Sequence, residues 1–192
     1  MQTLESERLL FRPMTWEDLP FFIRLHGDLE LVRYLGSGKP RTEQQTREWL
    51  ERTLRWYAED QVGHLAILLK ASQQLLGRVG LTYYEIELPT DGSDPLTHWG
   101  RGSTPPGVPL VREIDLSCAL EPGAWGQGYA TEATRRLRDH AFQERGLERL
   151  ISILHPENAR ALHVAEKLGF RARDRVRVYT QTFRRLELAR EP

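Results

Sequence analysis

Apolar positions along the chain change spacing repeatedly, and each change marks an element. Residues 9–12 read as a short strand closed by Pro13, and Thr15 with Asp18 forms a capping-box pattern. That pattern predicts a helix through about Leu25, with Trp16, Leu19, Phe22 and Ile23 as its apolar face. Thr42 with Gln45 opens a second helix, where Trp49, Leu50, Thr53, Leu54 and Tyr57 recur three and four apart and read as core, not as an aromatic ligand cage. Residues 64–70 and 75–87 read as two strands joined by a polar turn, and residues 111–120 as another. Ala130, Ala133, Leu137 and Ala141 return to helical spacing. A strand over 149–154, a last helix from Asn158 to Gly169, and a hairpin or strand pair over 176–188 complete the reading. This alternation predicts an α/β or α+β fold, with residues 1–192 forming a single domain.

Within the run from Glu113 to Leu120, alternation puts Glu113, Asp115, Ser117 and Ala119 on one face. Ile114, Leu116, Cys118 and Leu120 lie on the other, a core face, so Cys118 reads as a small buried hydrophobe and not a nucleophile. Composition narrows the setting. The 27 basic and 27 acidic residues balance, so no charge field argues for nucleic acid or an anionic membrane. One cysteine cannot make an intramolecular disulfide, and no signal peptide or long apolar run is present, so a soluble cytoplasmic protein is expected. The six histidines and single cysteine show no zinc spacing, and no metal is expected.

The most informative stretch is Pro122-Gly123-Ala124-Trp125-Gly126-Gln127-Gly128-Tyr129-Ala130-Thr131-Glu132-Ala133, a glycine turn between a hydrophobic strand and a helix. Backbone N–H groups at a helix N-terminus lack intrahelical partners and sit at the positive dipole end, so they bind anions. Gly126 and Gly128, having no Cβ, let a ligand approach the backbone. The same pattern also arises where a strand and a helix merely need a tight join. It lacks the Gly-Lys-Ser/Thr of the triphosphate loop and the third glycine of the dinucleotide fingerprint, which points to the pyrophosphate of coenzyme A.

Four stretches in order, residues 4–13, Gly77-Arg78-Val79-Gly80-Leu81, residues 125–133, and Asn158 through Glu166-Lys167-Leu168-Gly169-Phe170, resemble the GNAT acetyltransferases. Within that family the chain resembles the branch of Rim-type ribosomal-protein N-terminal acetyltransferases. The resemblance implies a mixed, splayed central sheet flanked by helices, with acetyl-CoA as co-substrate. It implies that Ser117, Cys118, Ala119 and Leu120 pair with the pantetheine arm, and that Trp125, Gly126, Gln127, Gly128, Tyr129, Ala130 and Thr131 hold the pyrophosphate. Asn158 matches an asparagine that reaches the arm, and a helix N-cap is its other role. Asp115 stands where this branch often has an acid, which implies a general base; Glu113 is the reserve, and the alternative is that both face solvent or pair with arginines. The oxyanion then needs a backbone donor near Cys118 or Ala119. Ala161 replaces a serine common in relatives, leaving the general acid unassigned; Tyr179 and His163 are available, and His163 reads better as a surface residue. Homodimers are common among such enzymes.

Residues 88–110, rich in proline and glycine, read as an irregular insertion before the catalytic strand. It is either a solvated loop or a cover over the acceptor side. In the second case Glu85, His98, Trp99 and Arg101 become substrate contacts, and Glu87, Asp91 and Asp94 add negative charge. The expected function is acetylation of a small cationic amine such as a polyamine or an aminoglycoside antibiotic, which would confer resistance. N-terminal acetylation of a protein is the enzymatic alternative, and a non-catalytic coenzyme A sensor is the alternative of another class.

Overall fold

The computed structural model describes residues 2–59 and 61–190. In chain order its elements are β1 (Leu4–Glu5), β2 (Leu9–Pro13), α1 (Leu19–Gly27), α2 (Leu29–Val32), α3 (Glu43–Glu59), β3 (Gly63–Leu69), β4 (Leu75–Glu87) and β5 (Leu96–Trp99). They continue as β6 (Leu110–Leu120), α4 (Tyr129–Asp139), β7 (Arg149–Leu154), α5 (Ala159–Lys167), β8 (Arg171–Val178) and β9 (Gln181–Ala189). Both capping boxes form. Asp18 and Thr15 cap a short 3₁₀ turn that leads into α1, and Thr42 and Gln45 exchange bonds of 3.2 and 2.9 Å at the start of α3. At the other end of α5, Gly169 adopts a φ of 89° and Phe170 N–H returns to the Ala165 carbonyl at 3.0 Å, a Schellman closure.

The fold is a mixed α+β sheet flanked by helices, and its strand order positions the site. Antiparallel β1, β2 and β3 lead to β4, whose far edge pairs with β6 along the whole register from Gly77↔Leu120 to Glu87↔Leu110. Parallel β6 and β7 meet at a single register pair, Asp115↔Ile151, and separate beyond it. β7 pairs with β9 and β9 with β8. The stretch expected to be irregular contributes β5, which pairs with β4 at Tyr84↔Trp99 and with β8 at Thr97↔Val178. Strands β4, β5, β8, β9, β7 and β6 therefore close into a ring.

Three apolar clusters follow from the alternation. Leu116 and Leu120 of β6 pack with Val79, Leu81, Ala133 and Leu137 on the face covered by α4. Ala119 joins Ala66, Phe22, Trp49 and Leu50 on the face covered by α1 and α3. Ile86, Ile151, Val176, Val178 and Phe183 fill the ring. The helical stripes behave as read, except that Trp16, placed on the apolar face, is 47% exposed because it sits in the 3₁₀ turn ahead of α1.

Candidate active site

Where β6 and β7 separate, a cleft of about 690 Å³ opens, bounded by Ser117, Cys118 and Ala119 on one lip and Ser152, Ile153 and Leu154 on the other. Side chains take up two carbonyls of β6 along this opening. Ser152 Oγ donates to the Leu116 carbonyl at 3.2 Å, and the Trp125 indole N–H donates to the Leu120 carbonyl at 2.7 Å. Backbone groups two residues apart on a strand point the same way, so the Cys118 N–H and C=O, between those two carbonyls, face the cleft.

The turn after β6 delivers a helix end to the same cleft. Gly126 and Gly128 have φ of 75° and 82°, conformations that an L side chain adopts at a cost, and Gly128 is the N-cap of α4. A Cβ on Gly126 would meet nothing within 4 Å, so the left-handed backbone is the requirement there, not crowding. Tyr129, Ala130 and Thr131 line the cleft, and their N–H groups open the helix. Glu132 in that first turn would oppose an anion. Its carboxylate is instead taken up by Arg8, through Nε at 2.7 Å and backbone N–H at 2.7 Å, and by Ser6 Oγ at 2.7 Å. Arg8 also donates to the Gln127 carbonyl at 3.0 Å and lies over the Tyr129 ring, fastening the turn to the N-terminal strands. Asn158, at the cleft, caps α5 by accepting the Ala161 N–H at 3.1 Å through Oδ1.

Asp115 sits at the apex of the split, 4% exposed. Burial pushes its carboxyl up to about 7, against the opposing effects of the Ile153 N–H, the Ser117 hydroxyl and the charge of Arg78. Ser117 connects this acid to the cleft it lines, and its Oγ lies 3.3 Å from His64 Nε2. His64 is 3% exposed, and burial drives its pKa well below the usual value, with Arg78 adding to the effect, so the ring is neutral. His26, also buried, is held at about 2 by burial with help from Arg78 and Arg41. The charges acting on these two histidines are those of Arg78 and Arg41, and Arg78 also acts on Asp115.

A splayed parallel pair, a preformed cleft and a glycine turn at a helix N-terminus find their counterpart among known proteins. The family model for the acetyltransferase (GNAT) domain matches residues 8–171. The chain belongs to the GNAT acetyltransferases. A curated relative, the uncharacterized N-acetyltransferase p20 of Bacillus licheniformis, is 25% identical over 186 residues, covering 97% of this chain and 92% of its own. Two solved structures show the same fold. RimL, a ribosomal-protein alpha-N acetyltransferase in complex with coenzyme A, matches with a TM-score of 0.72 at 11% identity, with 97% of each chain covered. Spermidine N-acetyltransferase from Vibrio cholerae, in complex with CoA and spermine, matches with 0.68 at 16% identity, with 96% of each covered.

The GNAT fold binds coenzyme A, and the cleft suits it in chemistry: a free strand edge for an amide-bearing arm and a helix N-terminus for phosphate. Of the residues expected to contact it, Ser117, Cys118, Ala119, Leu120, Trp125, Gly126, Gly128, Tyr129, Ala130, Thr131 and Asn158 line the cleft of this acetyltransferase. Gln127 turns outward and bonds the Gly123 carbonyl through Nε2. Cys118, read from sequence as a buried core residue, is instead half-buried and lines the cleft, and desolvation pushes its thiol up to about 12. Among the described residues no group of three or more His, Cys, Asp or Glu could hold a metal ion, and no helix is long and apolar enough to cross a membrane.

The residues read as acceptor contacts have other occupations in this GNAT chain. Glu85 is 1% exposed and accepts from Gly102 N–H, Thr104 N–H and Arg112 Nε at 2.8, 2.9 and 2.9 Å; burial alone would raise its pKa, but these donors hold it at about 2. His98 Nε2 lies 2.7 Å from Glu87. Trp99 packs against Trp56 with ring centroids 4.7 Å apart. Glu113 is gripped by Arg149 from β7 at 2.9 Å, the arginine pairing weighed as its alternative. Sequence reasoning passed over His64, Arg41 and Arg78. Alternation from Asp115 through the paired strands would have put Arg78 and His64 on the same face, once the register was known.

Proposed function

We propose that this acetyltransferase transfers the acetyl group of acetyl-CoA to a primary amine, and that the amine proton leaves through Ser117 to Asp115. The observation carrying this reading is a buried carboxylate with a pKa of about 7, one hydroxyl away from the cleft. A lysine-like ammonium has a solution pKa of about 10.4, so a neutral nucleophile requires a base poised near the working pH. Asp115 meets that requirement, whereas both carboxylate oxygens of Glu113 are occupied by Arg149 at 2.9 Å.

The co-substrate supplies an activated thioester. Its arm lies along the open edge of β6 against Cys118, its pyrophosphate at Gly126 to Thr131, and Asn158, with Oδ1 engaged in the cap, offers Nδ2 to the arm. Cys118 N–H, directed into the split, is the donor for the oxyanion.

For the acceptor we favour a small molecule over a protein N-terminus. The ring beside Asp115 is filled by Ile86, Ile151 and Phe183, and the β8–β9 tip at Tyr179 packs near Gly36, so the acceptor side is bounded. An aminoglycoside is less favoured, because each flanking acid is engaged within the chain. Glu85 and Glu87 are bonded as above, Asp91 accepts the Ser93 N–H at 3.0 Å, and Asp94 lies 3.9 Å from Arg175. A thiol-release assay with acetyl-CoA against amines and N-terminal peptides tests the reading. Release with a small amine supports it. A peptide hit alone would make the chain a protein acetyltransferase, and binding of CoA with no release under any condition would make it a sensor.

A further inference from the structure

Arg78 is 9% exposed and its Nε has no hydrogen-bond partner; its guanidinium carbon lies 5.4 Å from the centroid of the Trp49 ring. Burying a guanidinium without a carboxylate is costly, and a tryptophan face offsets only part of the cost. Arg41, on the loop before α3, is a second guanidinium, of intermediate exposure, with no ion pair or side-chain hydrogen bond among the described residues. The two lie close enough that Arg41 lowers the proton affinity of Arg78, and both act on His26 and His64. Arg41 also lies in electrostatic range of Tyr84 on β4 and of Tyr179 at the β8–β9 tip.

This concentration of positive charge stands on the acceptor side. Arg78 pairs with Ala119 and Gly80 with Ser117, so Arg78 is two register positions from the hydroxyl that faces the cleft, about 7 Å along the strand. At Gly80, the register partner of Ser117, the absence of a side chain leaves room for His64, whose Cα and ring would stand 2.7 and 2.9 Å from a Cβ there. With both histidines neutral, Asp115 is the carboxylate within electrostatic range of Arg78, with no ion pair between them among the described residues, and it stands against two guanidiniums. Such a field repels a polycation and attracts an anion.

We propose that the acceptor is an amine that also carries an oxyanion, of the amino-acid type, whose acidic group is held by Arg78 and Arg41 while its nitrogen faces Ser117. The inference rests on the acetyl-transfer reading for the position of the nitrogen. Guanidinium recognition of a carboxylate is bidentate and planar, which fixes the amine's orientation as well as its affinity. The same two charges disfavour the ammonium form of the bound amine and so favour the nucleophile.

Calorimetry on the CoA-loaded protein tests this, using L-amino acids and aminophosphonates, the carboxamide of each amino acid, and spermidine. At least one acid should bind about 10–100-fold more tightly than its carboxamide. Arg78→Gln and Arg41→Gln should abolish that preference while CoA affinity stays within about threefold, which also reports that the variants fold; Arg78→Lys should retain part of it. Equal or tighter binding of carboxamides or spermidine, binding of no acid at all, or an Arg78→Gln defect confined to CoA would each overturn the proposal. Thiol release separates the two readings. An acid that binds as described but is never acetylated would sink acetyl transfer and leave the recognition intact.

Discussion

Asp115 reaches across the opening between β6 and β7 to accept the backbone N–H of Ile153 at 3.0 Å. Together with the bond from Ser152 Oγ to the Leu116 carbonyl, this contact joins the two lips where their own ladder ends, and it does so with the group assigned to take the proton. Structure and chemistry are coupled at that carboxylate.

Replacing Asp115 with Asn keeps an acceptor for the Ile153 N–H and removes the base. Turnover should fall by about 10²–10⁴-fold with CoA affinity unchanged. In the unaltered protein, kcat/KM should rise with pH through about 7, as Asp115 ionises. The rising limb should vanish in the variant, and an identical pH profile in the two proteins would dismiss Asp115 as the base.

Stability should run the opposite way with pH. An unfolded Asp releases its proton near 3.8, whereas folded Asp115 keeps it until about 7. Across that window the native state binds more protons than the unfolded one, so stability declines as pH rises, on the order of 1 kcal/mol per pKa unit. Asp115→Asn should therefore have a higher Tm than the parent at pH 8 and a similar one at pH 4. Thermal melts at the two pH values decide it.

Gly126→Ala and Gly128→Ala both force a side chain into the left-handed region, at about 1–2 kcal/mol each. Gly126 faces open space, so its variant isolates the backbone effect, whereas a Cβ at Gly128 also stands 3.3 Å from Arg8. Both should weaken CoA binding, Gly128→Ala more. Titration of CoA with each variant makes the comparison, and wild-type affinity in both would remove the turn from the binding site.

Glu85→Gln should act on the acceptor side alone. It strips the charge from a buried group that organises Gly102, Thr104 and Arg112, with an expected loss of about 1–3 kcal/mol. KM for the acceptor should rise while that for acetyl-CoA holds. A rise in both would mean that the residues 88–110 support the whole sheet.

The donor half of the site was legible because it is local. Strand, two glycines and helix occupy consecutive positions, whereas alternation along Glu113 to Leu120 sorted core from site only in part, since Ala119 is buried with Ala66, Trp49 and Leu50 and Cys118 lines the cleft. The acceptor half is assembled from distant pieces. Glu113 meets Arg149 and Asp115 meets Ile153 through the parallel crossover, contacts that periodicity does not carry. β5 lies in a stretch of prolines and glycines, and its extended form comes from pairing with β4 and β8, not from its own propensity. Arg78 sits amid Gly77, Val79 and Gly80 in a strand, where a buried unpaired cation is the last thing composition would suggest.

The ring also fixes when the site comes into being. Thr97 Oγ donates to the Arg177 carbonyl at 2.9 Å, a contact between residues 80 positions apart, and the second lip of the cleft, β7, follows the first by a whole helix. Closures of that span are slow, since the intervening chain must be ordered before they repay it. A growing chain has β4, β5 and β6 long before β8 arrives, so catalytic competence is among the last properties it acquires, and lesions in the β8–β9 hairpin should slow maturation more than they impair the finished enzyme.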